Sequence, residues 1–272
     1  MLDRLFDYYP ETKHDTLVNN LERAERVEEI HFQYATAIPT ATPLGQSFNE
    51  ELLEIVGDVV GAEMDIFGVN LWLAPGLNIY RNIQNGRNFE YYSEDPLLSG
   101  KLAGAITRCV QKHKNRATTI KHFACNNQEN VRFNSNSVVS ERALREIYLK
   151  GFKVAIKEGK PITLMTSYNL INGKHSSERR DLVVDVLRNE WGYDGLVMSD
   201  WYTSYDVKVG IANQEYQNAV PNILGGNNLH LGGRKKDYDY IIEAVKSGVI
   251  RQGNLLECAG RVYDLIEKLN QK

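Results

Sequence analysis

The sequence predicts an α/β fold: a (β/α)8 TIM-type barrel, incomplete in its strands. Three observations carry that reading. Short apolar runs alternate with amphipathic helical patterns along the chain, as buried parallel strands under covering helices require. The 272 residues are enough for one barrel of this kind. The strand candidates number about six, against the eight of a closed barrel. An open doubly wound sheet is the second candidate.

Taken in order, Met1 to about Phe32 is polar, with Leu17, Leu21, Ala24, Val27 and Ile30 at weak helical spacing. Residues 1–35 are therefore expected to form a helical lead-in and residues 36–272 the barrel domain. The strands expected are Asn70–Ala74, Thr118–His122, Ile162–Thr166 and Gly195–Ser199, with weaker ones at Tyr34–Ile38 and Ile223–Leu224. Helix Asn49–Phe67 carries Leu52, Val56, Val59, Val60 and Met64 toward the core, capped by Ser47 or Asn49. Pro96–His113 does the same with Leu98, Leu102, Ile106, Cys109 and Val110. Ser140 caps Glu141–Glu158, with Leu144, Ile147, Tyr148 and Phe152 inward and Gly159 as the stop. Arg180–Trp191 ends at Gly192, and Tyr238–Ser247 and Asn254–Leu269 close the chain as amphipathic helices.

Composition excludes several classes of function. Lys plus Arg is 32 and Asp plus Glu is 35, so the net charge of −3 gives no electrostatic case for nucleic acid or an anionic membrane. Cys109, Cys125 and Cys258 are too few and too scattered for a disulfide framework or a thiolate metal site, and the six histidines lack ligand spacing. No glycine-rich phosphate loop occurs, so neither metal nor cofactor is expected. The N-terminus has no basic stretch leading into an apolar one, and no apolar run approaches the roughly 20 residues that span a bilayer. The location expected on these grounds is cytoplasmic, and no membrane partner is expected.

In parallel α/β folds the chemistry gathers at the carboxyl ends of the strands. Here the first strand leads into a loop with Asn78, Arg81, Arg87, Glu90, Glu94 and Asp95. The second ends in Lys121-His122, the third in Thr166-Ser167-Tyr168-Asn169, and the fourth in Ser199-Asp200-Trp201. Cations, hydroxyls, amides, a carboxylate and an indole on one rim suit a carbohydrate, which offers many hydroxyls and an apolar face. Asp200 is the natural nucleophile or base, Lys121 and Arg87 can hold it ionised and grip hydroxyls, and Trp201 can stack on a ring. Plainer readings stand beside these. An Asp after a strand is more often a helix cap, Lys121-His122 can be a supporting ion pair, and Arg87 can pair with Glu90 or Glu94. Trp201 and Tyr168 can be wall or core residues, and Asn126-Asn127-Gln128-Glu129 an ordinary capped turn.

At these segments the chain resembles glycoside hydrolase family 3, the β-glucosidase-type enzymes. The matching runs are LAPGLNIYRN (Leu73–Asn82), GRNFEYYSEDPLLSGKLA (Gly86–Ala103), KHFACNNQE (Lys121–Glu129), SERALREIYLKGF (Ser140–Phe152), MTSYNLINGKHSSE (Met165–Glu178) and LRNEWGYDGLVMSDW (Leu187–Trp201). The resemblance runs from about Thr36 to the end of the chain. It implies a barrel domain and a retaining mechanism through a covalent glycosyl-enzyme on Asp200. It further implies that Lys121, His122 and Arg87 bind sugar hydroxyls and that Tyr168 stands beside the nucleophile. Met165 and Trp201 correspond to subsite walls, and Glu129 and Arg132 to supporting residues. The KHFACNNQE form is similar to the glucosidase branch, whose acid/base Glu comes from a separate α/β sandwich domain.

The chain also departs from the family pattern. No residue matches the acid/base, and a DGP-type motif is absent, so the resemblance implies a barrel with its first strand missing or replaced; the segment GGNNLHLGG (Gly225–Gly233) has Asn228 where the family has Asp. The partner expected, besides a carbohydrate, is therefore a separate sandwich domain supplying the acid/base, or a second copy of the chain. The leading expectation for function is cleavage of terminal β-D-glucosides, with β-xylosides the nearest alternative substrates. An inactive or partner-dependent sugar-binding barrel, and a Schiff-base enzyme using Lys121, are the competing readings.

Overall fold

The computed structural model describes residues 34–201, 203, 219–232 and 235–270. The chain divides into two compact units, Met1–Thr36 and Ala37–Lys272. The helical lead-in expected over 1–35 falls almost wholly outside the described residues. The elements that follow belong to the second unit.

The strands are β1 (Leu71–Trp72), β2 (Ala117–Phe123), β3 (Asn136–Ser137), β4 (Thr163–Thr166), β5 (Leu170–Ile171), β6 (Lys174–His175) and β7 (Leu196–Met198). The helices are α1 (Ala41–Gln46), α2 (Glu50–Phe67) and α3 (Pro96–Val110). Next comes α4, built from Glu141–Ala143, a π-type turn at Leu144–Tyr148, and Lys150–Gly159. After it come α5 (Asp181–Glu190), α6 (Ala219–Gly225), α7 (Lys235–Lys246) and α8 (Gln252–Asn270).

The four main strands expected from sequence form one parallel sheet in the order β1-β2-β4-β7. Trp72 registers with Thr118, Ile120 with Leu164, and Leu164 with Val197. A parallel bridge from Met198 to Leu229 carries the sheet one step past β7. Among the described residues the sheet does not close into a complete barrel. Strands β3, β5 and β6 make a small separate sheet.

The two faces of the main sheet are buried differently. Ile120, Leu164 and Val197 join the larger core with Leu102 and Ile106 of α3, Phe152 of α4 and Leu187 of α5. On the other face Ala117, Met165, Leu196 and Met198 pack with Leu265 and Leu269 of α8. Burial on both sides explains why the strands read as continuous apolar runs rather than alternating ones.

Helix starts follow their caps. The Asn49 side chain accepts from Leu52 N at 3.1 Å, so of the two caps expected for α2 it is Asn49 that serves. Asp95 accepts from Leu97 N and Leu98 N ahead of Pro96 in the first turn of α3. Ser140 accepts from Ala143 N at the start of α4.

Several expectations are corrected. Tyr34–Ile38 is assigned to no strand, and Ile38 is half-buried against the core. Ile223–Leu224 lies inside α6, where Pro221 suits a first helical turn and Val220 and Ile223 share a face. In α2 the buried stripe is Leu53, Val56, Gly57, Gly61 and Met64, while Leu52 is exposed. Hydropathy misplaces it because glycine adds nothing to an apolar pattern, yet Gly57 lets α2 close on Ile106 of α3. In α4 the π-type turn shifts the phase, so Leu149 is fully buried and Ile147 is 40% exposed. Gly159 is not the stop: Lys160 takes the left-handed position, at φ 48°. A Cβ on Gly159 would come within 2.9 Å of the Gly104 carbonyl oxygen, so close approach of α4 to α3 is what requires glycine there.

Asn228 joins α5 to β7, its Oδ1 accepting from Arg188 Nη2 at 2.8 Å and Val197 N at 3.0 Å. Burial pulls the Arg188 pKa down to about 10, with Arg261 adding repulsion.

Two stability outcomes follow from these contacts. Gly100→Val places a Cβ within 2.6 Å of the Gly151 carbonyl oxygen at the α3–α4 contact, so it is expected to cost roughly 1–3 kcal/mol, read as a lowered urea midpoint. Asn228→Asp keeps both accepted bonds and makes the one from Arg188 charge-assisted. It is expected to raise the stability at neutral pH by roughly 1–3 kcal/mol, read as a higher urea midpoint, a gain lost on acidification as the carboxylate is protonated.

Candidate active site

Strand β7 delivers Asp200 to the carboxyl end of the sheet, two residues past Met198. The residue is only 5% exposed. Its Oδ1 accepts from Trp201 N at 2.8 Å, a local turn that orients the carboxylate. Its Oδ2 is buried and accepts no well-formed hydrogen bond within the described residues. His122 Nε2 stands 3.7 Å from that oxygen, and the Tyr168 hydroxyl also approaches the carboxylate. Burial pushes the Asp200 carboxyl above the usual aspartate range, while Trp201 N–H, Arg87, Tyr168 and Lys121 pull back against it.

Strand β2 delivers Lys121 and His122. Successive strand residues normally face opposite sides of a sheet, but the β2–β4 register shifts between Ile120 and Phe123. That irregularity lets neighbouring side chains serve one site. Asn78 grips the His122 backbone from both sides, donating to its carbonyl at 2.9 Å and accepting from its N–H at 2.8 Å. His122 is fully buried, and burial together with the Arg87, Lys121 and Arg132 charges holds its pKa well below the ordinary histidine value. The ring is thus neutral at physiological pH. Burial also lowers the Lys121 ammonium, with Arg87 adding to it and Glu90 and Asp200 opposing.

The loop after β1 delivers Arg87. Its guanidinium binds Glu90 bidentately at 3.0 and 2.7 Å, the pairing considered from sequence, and Lys121 Nζ lies 3.9 Å from the same carboxylate. The charge of Arg87 still acts on Asp200, so structural pairing and site membership coexist in this residue. Glu129 pairs with Arg132 at 2.8 Å and lies 3.9 Å from Arg87. The Arg132 guanidinium in turn sits 4.4 Å from the centre of the Tyr168 ring. Burial, with the Asp200 charge, drives the Tyr168 phenol far above its ordinary value, so it stays protonated.

Of the residues picked from sequence, Asp200, His122, Lys121, Arg87 and Tyr168 are thus in mutual electrostatic or direct contact. Trp201 follows the carboxylate with its side chain 46% exposed at the rim. Met165 is buried beneath, in the apolar cluster against α8. Two participants escaped sequence reasoning: Tyr91 and Asn126. Tyr91 reads as half of an apolar Tyr91-Tyr92 pair, and Asn126 as a turn residue. Only the fold brings the Tyr91 hydroxyl within 3.2 Å of both His122 Nδ1 and Asn126 Nδ2. Among the described residues no cluster of His, Cys, Asp and Glu has metal-binding geometry, and no helix is long and apolar enough to cross a membrane.

A parallel α/β domain with a buried carboxylate among cations at its strand ends is of the kind that enzymes for polar substrates are built on. The family profile described as "Glycosyl hydrolase family 3 N terminal domain" matches residues 24–265, and the chain belongs to that family. It is 43% identical over 234 residues to an exo-α-(1→6)-L-arabinopyranosidase from Bifidobacterium longum, covering 86% of this chain and 29% of that protein. It is 40% identical over 238 residues to β-glucosidase B from Emericella nidulans, covering 87% of this chain and 27% of that protein. The structure of β-glucosidase 3B from Thermotoga neapolitana in complex with glucose superposes with a TM-score of 0.81 at 41% identity, over 89% of this chain and 33% of that one. The fold is accordingly a TIM-like α/β domain. The chain spans under a third of the length of the relatives it matches.

Because folding raises the Asp200 pKa, the folded state holds that proton more tightly than the unfolded chain does. The sign is then set: stability from this group is greatest below about pH 4 and is lost as pH rises through the folded value. Asp200→Asn is expected to melt above the parent at pH 7, with the gap narrowing toward pH 4, as followed by calorimetry across pH.

Proposed function

We propose that this domain carries the nucleophile half of a retaining glycosidase acting on terminal β-D-glucosides. The observation that carries the reading is the Asp200 carboxylate, buried at the end of β7 with Oδ2 free of strong partners and faced by His122, Tyr168 and two cations. Such an oxygen is available to attack carbon. Relatives named as β-glucosidases, 40% identical to this chain, support the choice of substrate class.

In this reading Asp200 Oδ2 attacks the anomeric carbon from the face opposite the aglycone. The glycosidic C–O bond breaks, the aglycone oxygen takes a proton from a second carboxyl group, and a glycosyl ester remains on Asp200. Water then attacks the same carbon, gives its proton back to that second group, and releases the sugar and the free carboxylate. Lys121, His122 and Arg87 grip hydroxyls, Tyr168 steadies the nucleophile, Trp201 offers an aromatic wall, and Met165 backs the floor of the site.

The second carboxyl is assigned to a partner. Among the described residues Glu90 and Glu129 are both held by guanidinium groups. A separate α/β sandwich domain is the partner proposed, with self-association as the alternative source of a completed site. A reducing, cytoplasmic setting suits the three free thiols. The similarity to arabinopyranosidases supports a second reading of the sugar alone: α-L-arabinopyranosides cleaved by the same carboxylate.

An activated 2-deoxy-2-fluoro-β-glucoside tests the nucleophile without the partner, because a good leaving group needs little acid assistance. A single covalent adduct on Asp200 is expected by intact-mass and peptide mapping, with none in Asp200→Asn. Its rate is expected to rise with pH through a limb displaced above the ordinary aspartate range. No adduct in the folded chain, or an adduct elsewhere, overturns the assignment.

A further inference from the structure

Behind the carboxylate runs a directional chain of hydrogen bonds. Glu129 Oε1 can only accept, and Asn126 Nδ2 lies 3.2 Å from it. This fixes which end of the Asn126 amide faces inward: turned over, its carbonyl would confront a carboxylate. The same Nδ2 lies 3.2 Å from the Tyr91 oxygen, so the amide donates one hydrogen to each. The Tyr91 oxygen has its own single proton to place. Its other partner is His122 Nδ1, at 3.2 Å, with the two rings edge to face. Tyr91, His122 and Asn126 are each no more than 1% exposed, so water does not compete for these positions.

We infer that Tyr91, oriented by Asn126, donates to His122 Nδ1 and so locks the imidazole in its Nε2–H tautomer, making the ring a donor toward Asp200 Oδ2. Tyr91 and Asn126 are positioning residues, since neither touches Asp200 and both act through the ring. The neutral state of His122 agrees with this arrangement. A donor at Nε2 demands an acceptor opposite it, and the buried, underbonded Oδ2 lies 3.7 Å away. His122 thus presents a donor toward the carboxylate across a gap longer than a hydrogen bond. A substrate hydroxyl entering between them would accept from Nε2–H and donate to the carboxylate. That last consequence rests on the glycosidase reading; the tautomer does not.

Long-range proton–nitrogen correlation on the full chain labelled with 15N-histidine reads the tautomer directly, without substrate. The parent is expected to show His122 with Nε2 protonated and Nδ1 bare across pH 5–8. Tyr91→Phe keeps the ring shape and removes the donor; a shift from a single tautomer to a mixture, with Nδ1–H appearing, is expected. Asn126→Ala leaves the Tyr91 hydroxyl in place but unoriented, and a smaller shift in the same direction is expected. A parent ring protonated at Nδ1, or doubly protonated at pH 7, overturns the inference whatever the variants do. So does an unchanged single tautomer in folded Tyr91→Phe, which would leave Asp200 as the only determinant. Should either variant fail to fold, the parent spectrum and the other variant decide. Failure of the fluoroglucoside adduct with the tautomer confirmed would sink the glycosidase reading alone.

Discussion

A carboxylate placed out of water at the end of a parallel strand is the constraint that organises this site. Burial alone would protonate Asp200 and remove its chemistry. The surroundings oppose that with a backbone N–H from Trp201, the charges of Arg87 and Lys121, and the hydroxyl of Tyr168. None of these is a tight ion pair. The cations nearest the carboxylate are held by other groups, Arg87 by Glu90 and Lys121 loosely by the same glutamate. They lend field without taking a lone pair, and Oδ2 stays available. A direct Arg–Asp fork would give a lower pKa but a poorer nucleophile.

The framework that makes this placement possible was legible in part. The four main strands stood out because burial on both faces turns each into an apolar run, and strand-end residues were then the places to look. Asp200, Lys121, His122, Arg87 and Tyr168 were found that way. What was not legible lay in close approach and in phase. Gly57, Gly100, Gly104, Gly151 and Gly159 carry no hydropathy signal, yet they set how near α2, α3 and α4 come to one another. The π-type turn at Leu144–Tyr148 shifts a helical pattern by one residue, which is why Leu149 rather than Ile147 is buried. Periodicity assumes a constant turn and cannot register either effect.

Tyr91 and Asn126 were missed for a different reason. Each is ordinary in its own segment, an aromatic beside another aromatic and an amide in an Asn-rich turn. Their roles exist only across the chain, over separations of 31 and 35 residues. Nor does the strand pattern predict that Lys121 and His122 serve one site, since neighbours on a regular strand diverge. The register shift in β2 reconciles them.

The same geometry argues for a division of labour in the chemistry. A retaining site needs one carboxyl that stays ionised and one that holds a proton, about 5–5.5 Å apart. The surroundings of Asp200 favour the ionised form by supplying charges and donors. Among the described residues Glu90 and Glu129 each bind a guanidinium. A carboxyl kept neutral needs an apolar pocket without a cation, as a protein achieves by burying it away from opposite charge. Among the described residues Arg87 and Lys121 lend positive charge to Asp200, beside the neutral His122 and Tyr168. In the proposed reaction the acid/base is therefore best carried on a separate wall that brings its own apolar setting.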